Sequence, residues 1–128
     1  MTLLNFDPNS TIIILDVELE NNKQITTKRF ALDTGATYIL IPWDVADVLK
    51  IRPEFSEERI ETVTASGVEK VPLINIESVR VLGKEVKNVK AIVHDLPTKS
   101  YVDGLLGLSF LKNFNVHINF KKGELIFE

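Results

Sequence analysis

The chain contains no cysteine, which excludes disulfides, thiol nucleophiles and cysteine-bound zinc. It has only two histidines, His94 and His117, and no clustered third ligand beside either, so a zinc set is not expected. Ser66, Ser100 and Ser109 have no His and acid at a spacing that supports a serine nucleophile. No cofactor and no metal are expected. Basic residues are scattered, and 15 Lys and Arg against 18 Asp and Glu give a net charge of -3. Nothing therefore builds the cationic face that nucleic acid requires. No apolar run approaches the length of a membrane span, and Met1 to Ser10 lacks a cationic start followed by an apolar stretch. The chain reads as soluble and cytoplasmic, without a membrane partner. Low-complexity tracts and Pro/Ser-rich linkers are absent as well.

What is present fits a single domain over residues 1–128, since 45% hydrophobic and 26% charged residues supply an ordinary core. Thr11 to Glu20 is β-branched and then alternates, with Leu15, Val17 and Leu19 set against Asp16, Glu18 and Glu20. That period of two predicts a half-buried strand. A polar turn at Asn21-Asn22-Lys23 leads into a second strand, Ile25 to Leu32. Pro42 followed by Trp43, Ala46, Val48 and Leu49 predicts one short helix. Arg52 to Glu61 reads as a charged surface loop, its Glu54, Glu57, Glu58 and Glu61 solvated. Ile60 to Ala65 and Val68 to Ile76 predict two strands around a tight tip at Ser66-Gly67. Pro72 argues that the second of these is an edge or protruding strand. Val79 to Leu82 with Val86 to Val93, and Asn115 to Phe120 with Glu124 to Phe127, form two further hairpins. Trp43, Phe110, Phe114 and Phe120 are expected in the core. Short strands at close spacing predict an all-β fold, a small barrel or sandwich with one or two short helices.

The candidate chemistry lies in Phe30-Ala31-Leu32-Asp33-Thr34-Gly35-Ala36-Thr37, where a carboxylate ends an apolar strand just before a glycine that lets backbone turn closely. The tripeptide alone is equally consistent with a plain strand-ending turn. Ala31 to Thr37 resembles the active-site loop of the retropepsin-like aspartic peptidases, and Asp103-Gly104 with Ser109-Phe110-Leu111 looks closer to the bacterial-type members of that family. Val102-Asp103-Gly104-Leu105-Leu106-Gly107-Leu108-Ser109-Phe110-Leu111 is similar to that family's hydrophobic-hydrophobic-Gly element. The two elements and the hairpin between them occur in the family's order, so the likeness runs from Thr11 onward.

The resemblance implies a small closed barrel of the acid-protease type, and Asp33 as the catalytic residue of an aspartic endopeptidase. It implies support of the active-site loop by Thr34, Gly35 and Ala36, a flap over bound peptide at Ala65, Ser66 and Gly67, and packing of Leu105, Leu106 and Gly107 behind the loop. Amide hydrolysis by carboxylates alone needs two of them about 3 Å apart sharing a proton. No second Asp-Thr-Gly occurs in the chain, so a homodimer acting on a peptide or protein substrate is expected. Thr37 and Leu108 stand where retroviral members carry an acid and a base, and because both charges are missing neither is orphaned. Asp103 is expected to hydrogen-bond in a turn rather than to act in catalysis. Family habit makes Leu3-Leu4 or Leu125 to Phe127 candidate dimer contacts. The competing function is a non-catalytic dimerising module of the same fold that binds peptides or proteins.

Overall fold

In the computed structural model, residues 2–64 and 66–128 are described. Strand β1 is Thr2–Asn5, β2 Ile14–Asn21, β3 Gln24–Leu32 and β4 Ile39–Ile41, followed by helix α1 at Trp43–Val48. After a single 3-10 turn at Pro53–Phe55 come β5 at Arg59–Thr64, β6 at Gly67–Val81 and β7 at Lys84–Val93. The chain ends with β8 at Gly104–Leu106, α2 at Leu108–Leu111, β9 at Val116–Asn119 and β10 at Glu124–Phe127. No helix among the described residues is long and apolar enough to cross a membrane.

Two hairpins owe their register to left-handed turn residues. Asn22 (φ 50°) and Lys23 (φ 65°) join β2 to β3, and Leu82 (φ 52°) and Gly83 (φ 76°) join β6 to β7. Each is a two-residue turn with both φ values positive, the geometry whose twist matches paired strands. Six strands then close a barrel in the order β2-β3-β8-β4-β7-β6, with β6 returning to β2. Two of its ladders are parallel, β3 with β8 and β4 with β7. The inward residues of these strands, among them Leu15, Val17, Leu19, Phe30, Ile39, Ile41, Ile76, Val79 and Leu106, are buried together. A separate three-stranded sheet, β1-β10-β9, packs against the barrel. Its Phe127 stacks on Phe114 at 5.6 Å and meets Phe110 of α2 at 6.2 Å between ring centroids.

The all-β expectation holds, with changes in detail. The runs Val68 to Ile76 and Val79 to Leu82 are one 15-residue strand, β6, whose first half pairs with β5 and whose second half pairs with β7. Pro72 sits at the changeover, between the Arg59↔Pro72 and Leu73↔Ile92 pairs. Leu73 N–H is given to Glu58 O on the β5 side, so Pro72 faces the other way, past the last β6–β7 pair, and its missing N–H breaks no ladder there. The strand protrudes at this point but is not an edge. Arg52 to Glu61 is only partly loop, because β5 begins at Arg59. Trp43 and Phe120 are 39% and 66% exposed. Trp43 opens α1 and Phe120 follows the end of β9, so neither has a second layer to pack beneath.

The barrel seam is held by charge. Glu18 and Glu20 of β2 both bind Arg80 of β6, the first at 2.6 Å, and Arg80 Nε donates to Glu85 of β7 at 2.8 Å. The Glu20 bond holds Arg80 above the usual guanidinium range. The Ser78 hydroxyl, donating at 2.7 Å, holds the Glu85 carboxyl below its ordinary value. A depressed carboxyl adds stability above its unfolded value and loses it as pH falls through the folded one. Glu85→Gln should therefore lower the unfolding midpoint at pH 7, with the gap to the parent chain closing as pH is taken through the acid range. A gap that stayed constant with pH would contradict this role for the seam.

Candidate active site

Asp33 follows β3 directly, and β3 is positioned by its parallel pairing with β8, Leu32 opposite Leu106. Asp33 N–H donates to Leu106 O at 3.1 Å, and Leu32 N–H to Ile13 O at 2.9 Å. The chain then turns: Ala36 N–H returns to Asp33 O at 3.2 Å and Gly35 N–H donates to the Asp33 carboxylate Oδ1 at 2.9 Å. A Cβ on Gly35 would lie 3.2 Å from that same oxygen, so glycine lets the backbone come up to the acid without crowding it. Behind the turn, Leu108 N–H donates to Ala36 O at 2.8 Å and Ser109 N–H to Thr37 O at 2.9 Å. Ser109 Oγ in turn accepts from Ile39 N–H at 2.9 Å. The Leu105-Leu106-Gly107 element thus lies directly against the Asp33 loop, and α2 clamps the loop from below.

Asp33 is half-buried, whereas Thr34 and Gly35 are exposed. Asp33 opens into a cleft of about 890 Å³ shared with Gly35, Ala36, Leu105 and Ser66. Its apolar floor is a small cluster apart from the barrel core, built on Leu40, Val71, Leu73 and Ile92 with Tyr38, Ile60, Leu96 and Leu105 packed against it. The hairpin of β5 and β6 forms one wall, with Ile60 opposite Val71, Thr62 opposite Glu69 and Thr64 opposite Gly67. Gly67 has φ +114° with nothing within 4 Å of a Cβ position, as the expected tight tip demands. Ala65, the remaining expected flap residue, lies outside the described residues.

The structure brings Asp33, Gly35, Ala36, Ser66 and Leu105 to one cleft, while Leu106 and Gly107 are buried behind it. It adds a wall that the sequence reading missed, His94-Asp95-Leu96-Pro97, following β7. His94 Nε2 lies 3.7 Å from Glu69 of β6, and Asp95 Oδ1 accepts Trp43 N–H at the start of α1 at 3.1 Å. Glu61, read as part of a solvated loop, lines the cleft from β5. His117 is remote from this wall and pairs with Glu128 at 3.4 Å. The expected strand from Ile60 carries Glu61 and Thr62 to the cleft, but nothing local in the sequence marks His94 to Pro97. Asp103 brackets the strand before the acid as expected of a hydrogen-bonding residue: it accepts Arg29 N–H at 3.0 Å and gives its own N–H to Arg29 O at 2.7 Å.

Residues 17–113 match the family described as "gag-polyprotein putative aspartyl protease". Among solved structures, a retropepsin-like aspartic protease from Rickettsia conorii superposes with a TM-score of 0.74 at 26% sequence identity, covering 98% of this chain and 87% of that one. No curated protein matches. With the barrel, the family match and the solved neighbour in agreement, this chain belongs to the retropepsin-like aspartic protease family.

Proposed function

We propose that the chain is an aspartic endopeptidase that works as a homodimer, with Asp33 of each copy forming one half of a two-carboxylate site. The observation that carries this reading is a cleft with a single active-loop carboxylate at its base and a hairpin arm along its side. One such carboxylate is half of what the reaction needs. In the complete pair one Asp33 takes a proton from water as the oxygen attacks the amide carbon, while the other, protonated, donates to the carbonyl oxygen. Collapse of the tetrahedral diol then passes a proton to the leaving nitrogen, and the carbon–nitrogen bond breaks. Gly35 N–H, held on Asp33 Oδ1, fixes the carboxylate plane and leaves Oδ2 for water or the second acid.

Pairing about a two-fold axis puts the same surface of each copy together. Thr34 and Gly35, exposed in the single chain beside Asp33, supply such a surface. Leu125 and Phe127 are fully buried in the chain's own core, and β10 already has β1 on one side and β9 on the other. Contact through the active loops therefore fits this chain better than contact through Leu125 to Phe127. The flap hairpin offers the open edge of β5 to an extended peptide, which main-chain hydrogen bonds would hold over Asp33.

The test is digestion of a diverse peptide library, read by mass spectrometry, with and without a statine-type transition-state mimic. Cleavage blocked by the mimic is expected, and binding without cleavage would favour the module reading. Activity per mole of chain should fall on dilution in step with the dimer fraction seen by sedimentation. Full activity in a monomer would refute the shared site.

A further inference from the structure

We propose that Asp95 is a specificity-determining residue that selects a Lys or Arg side chain in the peptide substrate, an inference that rests on the peptidase reading for its choice of ligand. Asp95 is exposed and lines the same cleft as Asp33. Its carboxylate is already oriented, because Oδ1 accepts Trp43 N–H at 3.1 Å, while Oδ2 has no hydrogen bond among the described residues. A carboxylate fixed by one oxygen and open at the other loses little freedom when it receives a cation.

Charge around the cleft favours the same ligand. Asp33, Glu61 and Asp95 line it, and no Lys or Arg is among its described lining residues. The other acids are partly answered: Glu61 faces Lys70 across the hairpin, and Glu69 lies against His94 and accepts the Ser66 hydroxyl at 3.1 Å. Asp33 is reserved for the reaction. Asp95 is thus the wall carboxylate with the least compensation from other side chains. Leu96 and Pro97 beside it offer apolar surface to the methylene stem of a long basic side chain. The apolar floor at Leu40, Ile60, Ile92 and Leu105 takes an uncharged residue of the same peptide.

The test uses the parent chain and fluorescent octapeptides with a reduced, uncleavable central amide between two apolar residues, with Lys, Gln or Glu placed in turn at every other position. By anisotropy, Lys at one position should bind about fivefold tighter than Gln there, with Glu weaker still. Asp95→Asn, which keeps an oxygen for Trp43 N–H, should bring the Lys/Gln ratio to one while Gln affinity stays unchanged. Equal binding of Lys and Gln at all positions, no binding of any peptide, or a Lys preference that survives Asp95→Asn would each overturn the assignment. The matching peptides with ordinary amides separate this from the peptidase reading: bound with the Lys preference but never cut, they would refute the catalysis and leave the role of Asp95 standing.

Discussion

Asp33→Asn should lower kcat/KM for any cleaved peptide by about 10⁴-fold or more while leaving the barrel and its pairing intact. In a homodimer the substitution removes both carboxylates at once, so neither the base for water nor the acid for the carbonyl remains, and each such role is worth about 10²–10⁴-fold. The fold should tolerate the change. Asn keeps a side-chain oxygen to accept Gly35 N–H at the observed 2.9 Å position, and Asp33 N–H still reaches Leu106 O. The expected result is therefore loss of turnover with an unfolding midpoint and sedimentation profile close to those of the parent chain. Undiminished cleavage by a well-folded Asp33→Asn dimer would remove Asp33 from the mechanism.

The second large effect is on folding. Gly107→Ala should cost about 3 kcal/mol or more, or prevent folding outright. A Cβ at Gly107 would stand 2.3 Å from Tyr38 O and 2.7 Å from Ala36 O. Neither is a flexible side chain that could swing aside. Ala36 O is also fixed as the acceptor of Leu108 N–H at 2.8 Å, so relief means pulling the Asp33 loop away from α2. Gly83→Ala separates this clash from ordinary backbone cost. It sits in a β-turn at φ +76° with nothing within 4 Å, so only the left-handed conformation is penalised, by about 1 kcal/mol. Denaturant unfolding of the two variants side by side measures the difference, and equal losses would show that the contact behind Asp33 is not rigid. If Gly107→Ala does fold, its activity should fall with its stability, because the same contact positions the acid.

Local chemistry made much of this legible. The alternation of Leu15, Val17 and Leu19 announced β2, and Asn22-Lys23 marked the turn that the structure shows with two positive φ values. Pro42 marked the start of α1, and Leu105-Leu106-Gly107 lies against the Asp33 loop. These signals reach only a few residues along the chain, which is the range of turn sterics and strand periodicity. The errors fell where a distant segment decides. Glu61 is exposed as expected, but the acidic run before it suggested a loop, whereas pairing with Lys70 sets it in β5, lining the cleft. Pro72 suggested an edge or protruding strand, and only the exchange of β5 for β7 along β6 decides between the two and shows why it is tolerated there.

By itself, then, the sequence determined the hairpin strands, most of their turns and the Asp-Thr-Gly element, because each is specified by residues within a few positions of one another, whereas the short strands β1, β4 and β8 carry no such local signal. Only the tertiary structure decided how the barrel closes, with Arg80 joining β2, β6 and β7, and which wall faces Asp33. The parallel pairing that sets Leu32 beside Leu106, and the placement of Asp95 against Trp43, join segments 74 and 52 residues apart. No local periodicity encodes such a contact, since it forms only when buried surface on one segment meets its complement on another.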